Sequence, residues 1–168
     1  MANLKYIDFV DLKYKPVETD LVCTFYVEPE GVSFGEAAGA IAAESSIGTW
    51  TELTTVKPYV NGLAAHVFSI KGYTAKIAYP IKLFESGNMP NILSSVAGNV
   101  FGLKTLRNLR LQDIEFPSKA TASFLGPHFG IEGVRKLLRV PKRPLVGTII
   151  KPKLGLKTVD HAQVAYEA

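Results

Sequence analysis

Two kinds of hydrophobic periodicity alternate along the first two thirds of the chain. From Leu21 to Glu28, β-branched and aromatic residues alternate between two faces, which is typical of a strand that ends at the Pro29-Glu30-Gly31 turn. Ser33 is followed three residues later by Glu36, and this capping box precedes apolar residues at helical spacing to about Ser45. The pattern therefore predicts a strand followed directly by a helix.

The same criteria predict three more strands and a second helix. Leu63 to Ile70 and Tyr73 to Phe84 are separated by Lys71-Gly72, a tight-turn signal that predicts an antiparallel hairpin. Pro90 is at a position that the first turn of a helix tolerates, and Leu106 to Phe116 alternates as a last strand. The resulting order, βαββαβ, predicts an α+β, ferredoxin-like antiparallel sheet with both helices on one face.

After this region the pattern changes, and we divide the chain into domains 1–125 and 126–168. Glycine and proline residues between Gly126 and Pro144 predict a linker that contains a basic, helix-like piece, Val134 to Arg139. Leu145 to Ile150 is an unbroken apolar run, which is typical of a strand buried on both faces of a parallel sheet, and a helix is predicted from about Val159. One βα unit cannot close an α/β domain, so we infer a piece of a longer polypeptide.

Composition excludes several classes of protein. With 168 residues, 47% of them hydrophobic, the chain can bury a core, which a disordered chain cannot. Its 19 basic and 15 acidic residues give a net charge of +4, which permits a phosphate-bearing partner but does not require one. The single cysteine, Cys23, excludes disulfides and Cys-based zinc sites. Without a signal peptide or an apolar run long enough to span a bilayer, we expect a cytoplasmic protein with no membrane partner.

The first candidate for chemistry is Lys151-Pro152-Lys153, which directly follows the predicted buried strand. Barrel enzymes place their catalytic groups at this end of a strand. Lysines two residues apart on an extended segment share a face, and the proline between them restricts the backbone. The alternative is a solvated basic loop.

The second candidate runs from Glu44 to Trp50 and combines a carboxylate, three hydroxyls, a glycine and the only tryptophan. Such a loop could hold an anion through hydroxyls and backbone N–H groups, but it could also be a helix C-cap with a packed tryptophan. Gly98-Asn99 fits a plain left-handed helix cap. His66 and His128 have no partner at metal-ligand spacing, which favours structural roles.

Taken together, four segments are much more specific than any one of them. They occur in the order and at the spacing seen in the large subunit of ribulose-1,5-bisphosphate carboxylase/oxygenase (RuBisCO). This chain resembles that subunit over nearly its whole length, and it looks most similar to archaeal form III members. The segments are AAESSIGTW (42–50), GNVFG (98–102), GPHFGI (126–131) and RPLVGTIIKPKLGL (143–156). The resemblance implies a ferredoxin-like domain followed by the first βα unit of a TIM (β/α)8 barrel.

The resemblance also implies a shared active site, since in this family the barrel of one subunit meets the N-terminal domain of its dimer partner. A homodimer, or a higher oligomer of dimers, is therefore expected. Lys151 would transfer protons on the enediol of ribulose 1,5-bisphosphate and on the carboxylated intermediate, and Lys153 would position it and add positive charge. The co-substrate would be CO₂ or O₂.

Four residues of the N-terminal domain complete the implied site. Thr49 and Trp50 would hold one substrate phosphate, Asn99 would hydrogen-bond the reacting sugar backbone, and Glu44 would pair with a lysine on a mobile barrel loop that closes over the substrate. Ile47 departs from the family, in which many members have threonine, and this removes one hydroxyl beside the phosphate.

The family's cofactor is Mg²⁺, held by a carbamylated lysine and two acidic residues that would all lie after Ala168. The resemblance therefore implies no metal ligand within this chain, and we expect the chain alone to be inactive.

Two alternatives differ in chemistry. A RuBisCO-like relative would enolise or isomerise another phosphosugar without fixing carbon, but such relatives usually lose several of the four site residues that this chain retains. An RNA-recognition module has the same βαββαβ order, yet it needs aromatic residues on its third strand where this chain has Ala75 and Ala78. We therefore expect no nucleic-acid partner.

Overall fold

A computed structural model describes residues 5–48, 57–152 and 155–168. The chain divides into two compact units, Met1–Leu125 and Gly126–Ala168. The first unit holds a four-stranded antiparallel sheet in the order β2-β3-β1-β4. Its elements are β1 (Asp20–Pro29), α1 (Phe34–Glu44), β2 (His66–Lys71), β3 (Thr74–Pro80), α2 (Met89–Val96), β4 (Leu106–Glu115) and the short helix α3 (Ser118–Thr121). The predicted βαββαβ order is confirmed.

Four single-turn or two-turn 3₁₀ helices connect these elements: Tyr6–Phe9, Pro58–Leu63, Ile81–Leu83 and Asn99–Gly102. Two of them correct the predicted hairpin. Strand β2 starts at His66 rather than Leu63 because Pro58–Leu63 is helical, and β3 ends at Pro80 rather than Phe84. Proline lacks the N–H that would continue the sheet ladder, so the chain turns into Ile81–Leu83.

The core lies between the sheet and the two helices. Alternate β1 side chains are completely buried, and they share one hydrophobic cluster with the small face of α1 and with Ile92 and Val96 of α2. The buried β1 residues are Leu21, Cys23, Phe25 and Val27. Both helices therefore pack on the same face of the sheet, as the strand periodicity predicts.

Helix α1 begins at the predicted capping box. The Ser33 hydroxyl accepts a hydrogen bond from the Glu36 N–H, and the Glu36 carboxylate accepts one from the Ser33 N–H. All seven residues from Ala37 to Ala43 are buried, because small side chains let the helix approach its neighbours closely. At Gly39, an added Cβ would lie 2.0 Å from the carbonyl oxygen of Tyr6. The helix and the 3₁₀ helix Tyr6–Phe9 thus touch backbone to backbone.

The second unit contains two helices, α4 (Gly130–Leu138) and α5 (Thr158–Glu167). Helix α4 starts four residues before the predicted basic piece and ends at Leu138, and its C-cap Arg139 has a left-handed φ of 56°. The Arg135 guanidinium donates hydrogen bonds to the carbonyls of Val140 (3.1 Å) and Arg143 (3.0 Å) and so holds the chain that follows. The helix predicted from about Val159 is confirmed as α5.

The strand predicted at 145–150 is absent, and that prediction is wrong for this structure. Residues 145–149 are exposed, with Val146 at 94% and Ile149 at 76%. A parallel strand needs a neighbour to pair its N–H and C=O groups, and the described residues of the second unit, 126–152 and 155–168, include no strand. The apolar run at 145–150 favours burial, but these residues cannot become buried without a neighbouring strand.

None of the helices in the described ranges is long and apolar enough to cross a membrane.

We predict that Gly39→Ala destabilises the first unit by about 3 kcal/mol, because the new methyl group would overlap the Tyr6 carbonyl and force two backbones apart. Urea unfolding followed by circular dichroism would measure the loss. Gly62→Ala is the matched control, since nothing lies within 4 Å of the Cβ position there. Equal effects at the two positions would contradict the close approach at Gly39.

Candidate functional site

A cavity of about 590 Å³ opens in the first unit where α1 ends and the 3₁₀ helix Asn99–Gly102 begins. It brings together two of the residues singled out in the sequence, Glu44 and Asn99. The remaining lining residues are Tyr6, Gly102, Leu103, Lys104 and Thr105. The lining residues therefore bring a carboxylate, an amide, a phenol, an ammonium group and a threonine hydroxyl to a wall that is otherwise apolar or backbone.

Glu44 is placed by the end of α1. It is the last helical residue, and Ser45 caps the helix by donating its N–H to the Ile41 carbonyl at 3.0 Å. The Glu44 side chain is half-buried at the cavity. Helix α1 also contacts the 3₁₀ helix Asn99–Gly102, so the two elements that carry Glu44 and Asn99 support each other.

Asn99 is placed by a glycine whose role differs from the predicted one. Gly98 has φ −102° and ψ −115°, so it is not the left-handed cap that Gly98-Asn99 suggested, and the C-cap of α2 is Ala97. An added Cβ at Gly98 would lie 2.0 Å from the Ser94 carbonyl oxygen. Close packing against α2, rather than a positive φ, requires glycine here and turns the chain so that Asn99 reaches the cavity.

The cavity changes the electrostatics of its own residues. Burial, followed by the nearby negative charge of Glu44, raises the pKa of the Tyr6 phenol above its usual value of 10.0. The Thr105 hydroxyl is buried with no hydrogen-bond partner. Lys104 is exposed at the rim and supplies a positive charge opposite in sign to Glu44. The site is thus suited to a ligand that carries both hydroxyl and anionic groups.

The loop that follows Glu44 is built differently from the anion-binding loop that its composition suggested. The Ser46 hydroxyl donates to the Ala42 carbonyl (2.6 Å) and accepts from the Ala65 N–H (3.2 Å). The Ser45 hydroxyl is also buried within the protein. Two of the three hydroxyls are therefore used to hold the loop and cannot contact an anion.

Ile47 and Gly48 complete this segment. Ile47, which departs from the family pattern, packs against the hydrophobic core and is half-buried. The Gly48 N–H donates to the Ala43 carbonyl at 2.9 Å, and an added Cβ would lie 2.5 Å from the Ala43 Cβ. The chain therefore leaves α1 in a tight turn that any side chain at position 48 would obstruct.

Three predicted site residues, Thr49, Trp50 and Lys153, lie outside the described residues. Lys151 lies in the second unit and is exposed. Sequence reasoning missed Tyr6, Lys104 and Thr105. The GNVFG motif could have pointed to Lys104 and Thr105, because only Leu103 separates them from it. Nothing in the sequence near Tyr6 links it to this region.

No metal site is found in the described ranges 5–48, 57–152 and 155–168, where no three His, Cys, Asp or Glu side chains are placed to hold an ion. The two histidines considered in the sequence contact aromatic rings instead. His66 stacks on Tyr14 with 4.3 Å between ring centroids, and His128 meets Phe129 edge-on at 4.6 Å. Burial raises the pKa of the Cys23 thiol to about 12, which leaves it unreactive at neutral pH.

We predict that Glu44→Gln lowers the pKa of Tyr6 towards 10.0, because the negative charge that disfavours the tyrosinate is removed while burial is unchanged. Titration of ¹³C-labelled tyrosine by NMR, with Tyr6→Phe to assign the signal, measures this shift. Glu18→Gln, which removes an exposed carboxylate outside the cavity, is the control. An unchanged Tyr6 pKa in Glu44→Gln would contradict the proximity of the two side chains.

This chain is similar in sequence to known ribulose bisphosphate carboxylases. The family described as "Ribulose bisphosphate carboxylase large chain, N-terminal domain" matches residues 8–120. Proteins named ribulose bisphosphate carboxylase from Methanosarcina mazei and Pyrococcus horikoshii are 50% and 49% identical to this chain over 165 and 166 residues. Each alignment covers 96% of this chain and 39% of the relative, so the chain spans about two fifths of the length of these relatives.

Solved structures show the same similarity. The octameric Rubisco of Pyrococcus horikoshii OT3, in complex with sulfate, matches with a TM-score of 0.78 and 48% identity over 98% of this chain and 40% of its own. The dimeric archaeal Rubisco of Hyperthermus butylicus matches with a TM-score of 0.75 and 42% identity over 96% of this chain and 39% of its own. Because the family model covers residues 8–120 and the relatives are about 50% identical over 96% of the chain, this chain belongs to the ribulose bisphosphate carboxylase large-chain family, whose N-terminal domain it contains.

Proposed function

We propose that this chain is the N-terminal portion of a ribulose bisphosphate carboxylase, which adds CO₂ or O₂ to the enediolate of ribulose 1,5-bisphosphate and, with CO₂, yields 3-phosphoglycerate. The observation that carries the proposal is the cavity at which Glu44 and Asn99 meet, within a domain of this family. The two residues are 55 positions apart by number (99 − 44), yet the ends of two separate elements place them on one wall.

Each residue of the cavity has a role that its chemistry supports. The Asn99 amide can donate to and accept from the hydroxyls of the sugar backbone, which a charged side chain could not do in both directions. The Glu44 carboxylate is suited to pair with a lysine on a loop that closes over bound substrate. Thr49 and Trp50, which follow the tight turn at Gly48, are proposed to hold one phosphate.

Lys151 and Lys153 are proposed to act in the second unit. The free amine of Lys151 would accept and return protons on the substrate carbons and oxygens, and the charge on Lys153 would hold that amine in place. We propose that 145–150, which forms no strand here and is exposed over 145–149, becomes the first strand of a (β/α)8 barrel once neighbouring strands pair with it. That would place Lys151 at the carboxyl end of the strand, where barrel active sites lie.

The Mg²⁺ that the family implies does not fit the residues described here, because none of them form a cluster of ligands. We propose that its ligands, including the carbamylated lysine, belong to the part of the enzyme that the relatives have and this chain does not cover. No role of Glu44, Asn99 or Lys151 above depends on contact with the metal.

We further propose that the complete enzyme works as a homodimer or an oligomer of dimers. The similar solved structures are a dimer and an octamer. In such an assembly the cavity of one N-terminal domain would face the barrel of its partner, which would supply the lysines and the metal.

The test joins this chain to the remaining length of the Pyrococcus horikoshii relative and measures incorporation of labelled CO₂ that depends on ribulose 1,5-bisphosphate. We predict that the fusion is active and that Lys151→Met lowers kcat by about 10³-fold, since general acid–base groups contribute 10² to 10⁴. Thermal unfolding should change little, because the side chain is exposed in this structure.

Lys142→Met is the matched control, since it removes an exposed lysine of the same unit outside the proposed site. Equal activity of Lys151→Met and the parent would reject the role of Lys151. A parent that consumes a phosphosugar but incorporates no carbon would instead indicate the enolase or isomerase alternative.

A further inference from the structure

A hydrogen bond in the interior of the first unit joins the C-cap of α1 to the sheet through two fully buried side chains. The Tyr79 hydroxyl of β3 lies 2.9 Å from the Ser45 hydroxyl, which directly follows Glu44. Tyr79 is 0% exposed and Ser45 is 1% exposed. Because the Ser45 hydroxyl donates its only hydrogen to the Ile41 carbonyl at 2.5 Å, Tyr79 is the donor to Ser45.

The location of this bond is unusual for a purely apolar core. Tyr79 has the largest volume among the fully buried side chains of the described residues. Ile77 and Ala78, which precede it on β3, are fully buried and apolar. A phenylalanine would fill the same volume without needing a partner for a hydroxyl group. The hydroxyl therefore does something that packing does not require: it ties the C-cap of α1 to a central strand.

Glu44 lies at the C-terminal end of α1, where the helix dipole disfavours its negative charge. The C-terminal end of a helix carries partial negative charge, which disfavours a carboxylate, and the last turn of α1 contains no basic residue to compensate. Helix ends also fray readily. A sequence selected for stability alone would avoid glutamate at this position, so the carboxylate and the buried bond beside it are best explained together.

We propose that Ser45 and Tyr79 are positioning residues, which hold the last turn of α1 so that the Glu44 carboxylate faces the cavity it shares with Asn99. This inference rests on the proposed function and adds two residues to it. Ser46 and Gly48 hold the loop after the helix through Ala65 and Ala43. Helix α1 packs on β1 and β2, but among the side-chain hydrogen bonds of the described residues only Ser45–Tyr79 ties the helix end to a strand.

The test is a double-mutant cycle in the fused enzyme described above. We expect Tyr79→Phe to lower kcat about tenfold while the KM for ribulose bisphosphate stays within about twofold, since Glu44 acts on loop closure rather than on initial binding. In a Glu44→Gln background, Tyr79→Phe should lower kcat less than about twofold, because the group that it positions is already lost.

Two controls separate positioning from general stability. Tyr26→Phe removes a hydroxyl that bonds Glu28 on the other face of the sheet, and kcat should not change. Ser45→Ala removes the other half of the pair, and it should reproduce the kcat loss of Tyr79→Phe. The inference is overturned if Tyr79→Phe lowers kcat by the same factor with and without Glu44, or if it changes only the unfolding midpoint.

A second measurement does not require catalysis. In the 168-residue chain itself, Tyr79→Phe should shift the Tyr6 titration in the same direction as Glu44→Gln, because a carboxylate that moves away from Tyr6 stabilises the phenol less. An unshifted Tyr6 titration in Tyr79→Phe would overturn the inference even if the fused enzyme is active. A fused parent without carboxylation would reject the proposed function and leave this measurement to decide the positioning role.

Discussion

The close contact between α1 and its surroundings is the constraint on which the rest of the first unit depends. Seven consecutive small or aliphatic residues are buried on this helix, and Gly39 allows the backbone of the 3₁₀ helix Tyr6–Phe9 to rest directly on it. The helix thereby packs against sheet, 3₁₀ helix and hydrophobic core at once. This packing fixes the C-terminal end of α1, which includes Glu44. The contact with the 3₁₀ helix Tyr6–Phe9 places Tyr6 at the same cavity.

The site itself is assembled from the ends of elements rather than from their interiors. Glu44 ends one helix and Asn99 begins another, and each is placed by a neighbour that has little freedom: Ser45 through its bond to Tyr79, and Gly98 through its approach to Ser94. Backbone and buried hydroxyls do the positioning, which leaves the exposed polar groups for a ligand. Charge at the cavity is correspondingly mixed, with Glu44 and Lys104 on one lining.

Much of the first unit could be predicted from the sequence, because local signals and burial agree there. The capping box at Ser33 and Glu36 and the alternation in β1 gave elements that the structure confirms within one residue. The left-handed cap predicted at Gly98-Asn99 is wrong, because the close approach of Gly98 to Ser94 depends on tertiary packing, which no local pattern reveals. Tyr6 was missed for the same reason. At 145–150 the apolar pattern predicts a strand buried on both faces, and the structure contradicts it, because a strand depends on partners that the described residues do not include.

The pairing of the sheet has a consequence for how such a chain is made. Every strand of the first unit finds its hydrogen-bonded neighbours between Asp20 and Glu115, so all four can assemble as soon as this stretch has left the ribosome. In the proposed complete enzyme, the apolar run at 145–150 would emerge later and would pair only with barrel strands synthesised after it. Biosynthesis of that enzyme would therefore complete a folded domain first and leave an exposed apolar segment that stays prone to aggregation until its partner strands follow.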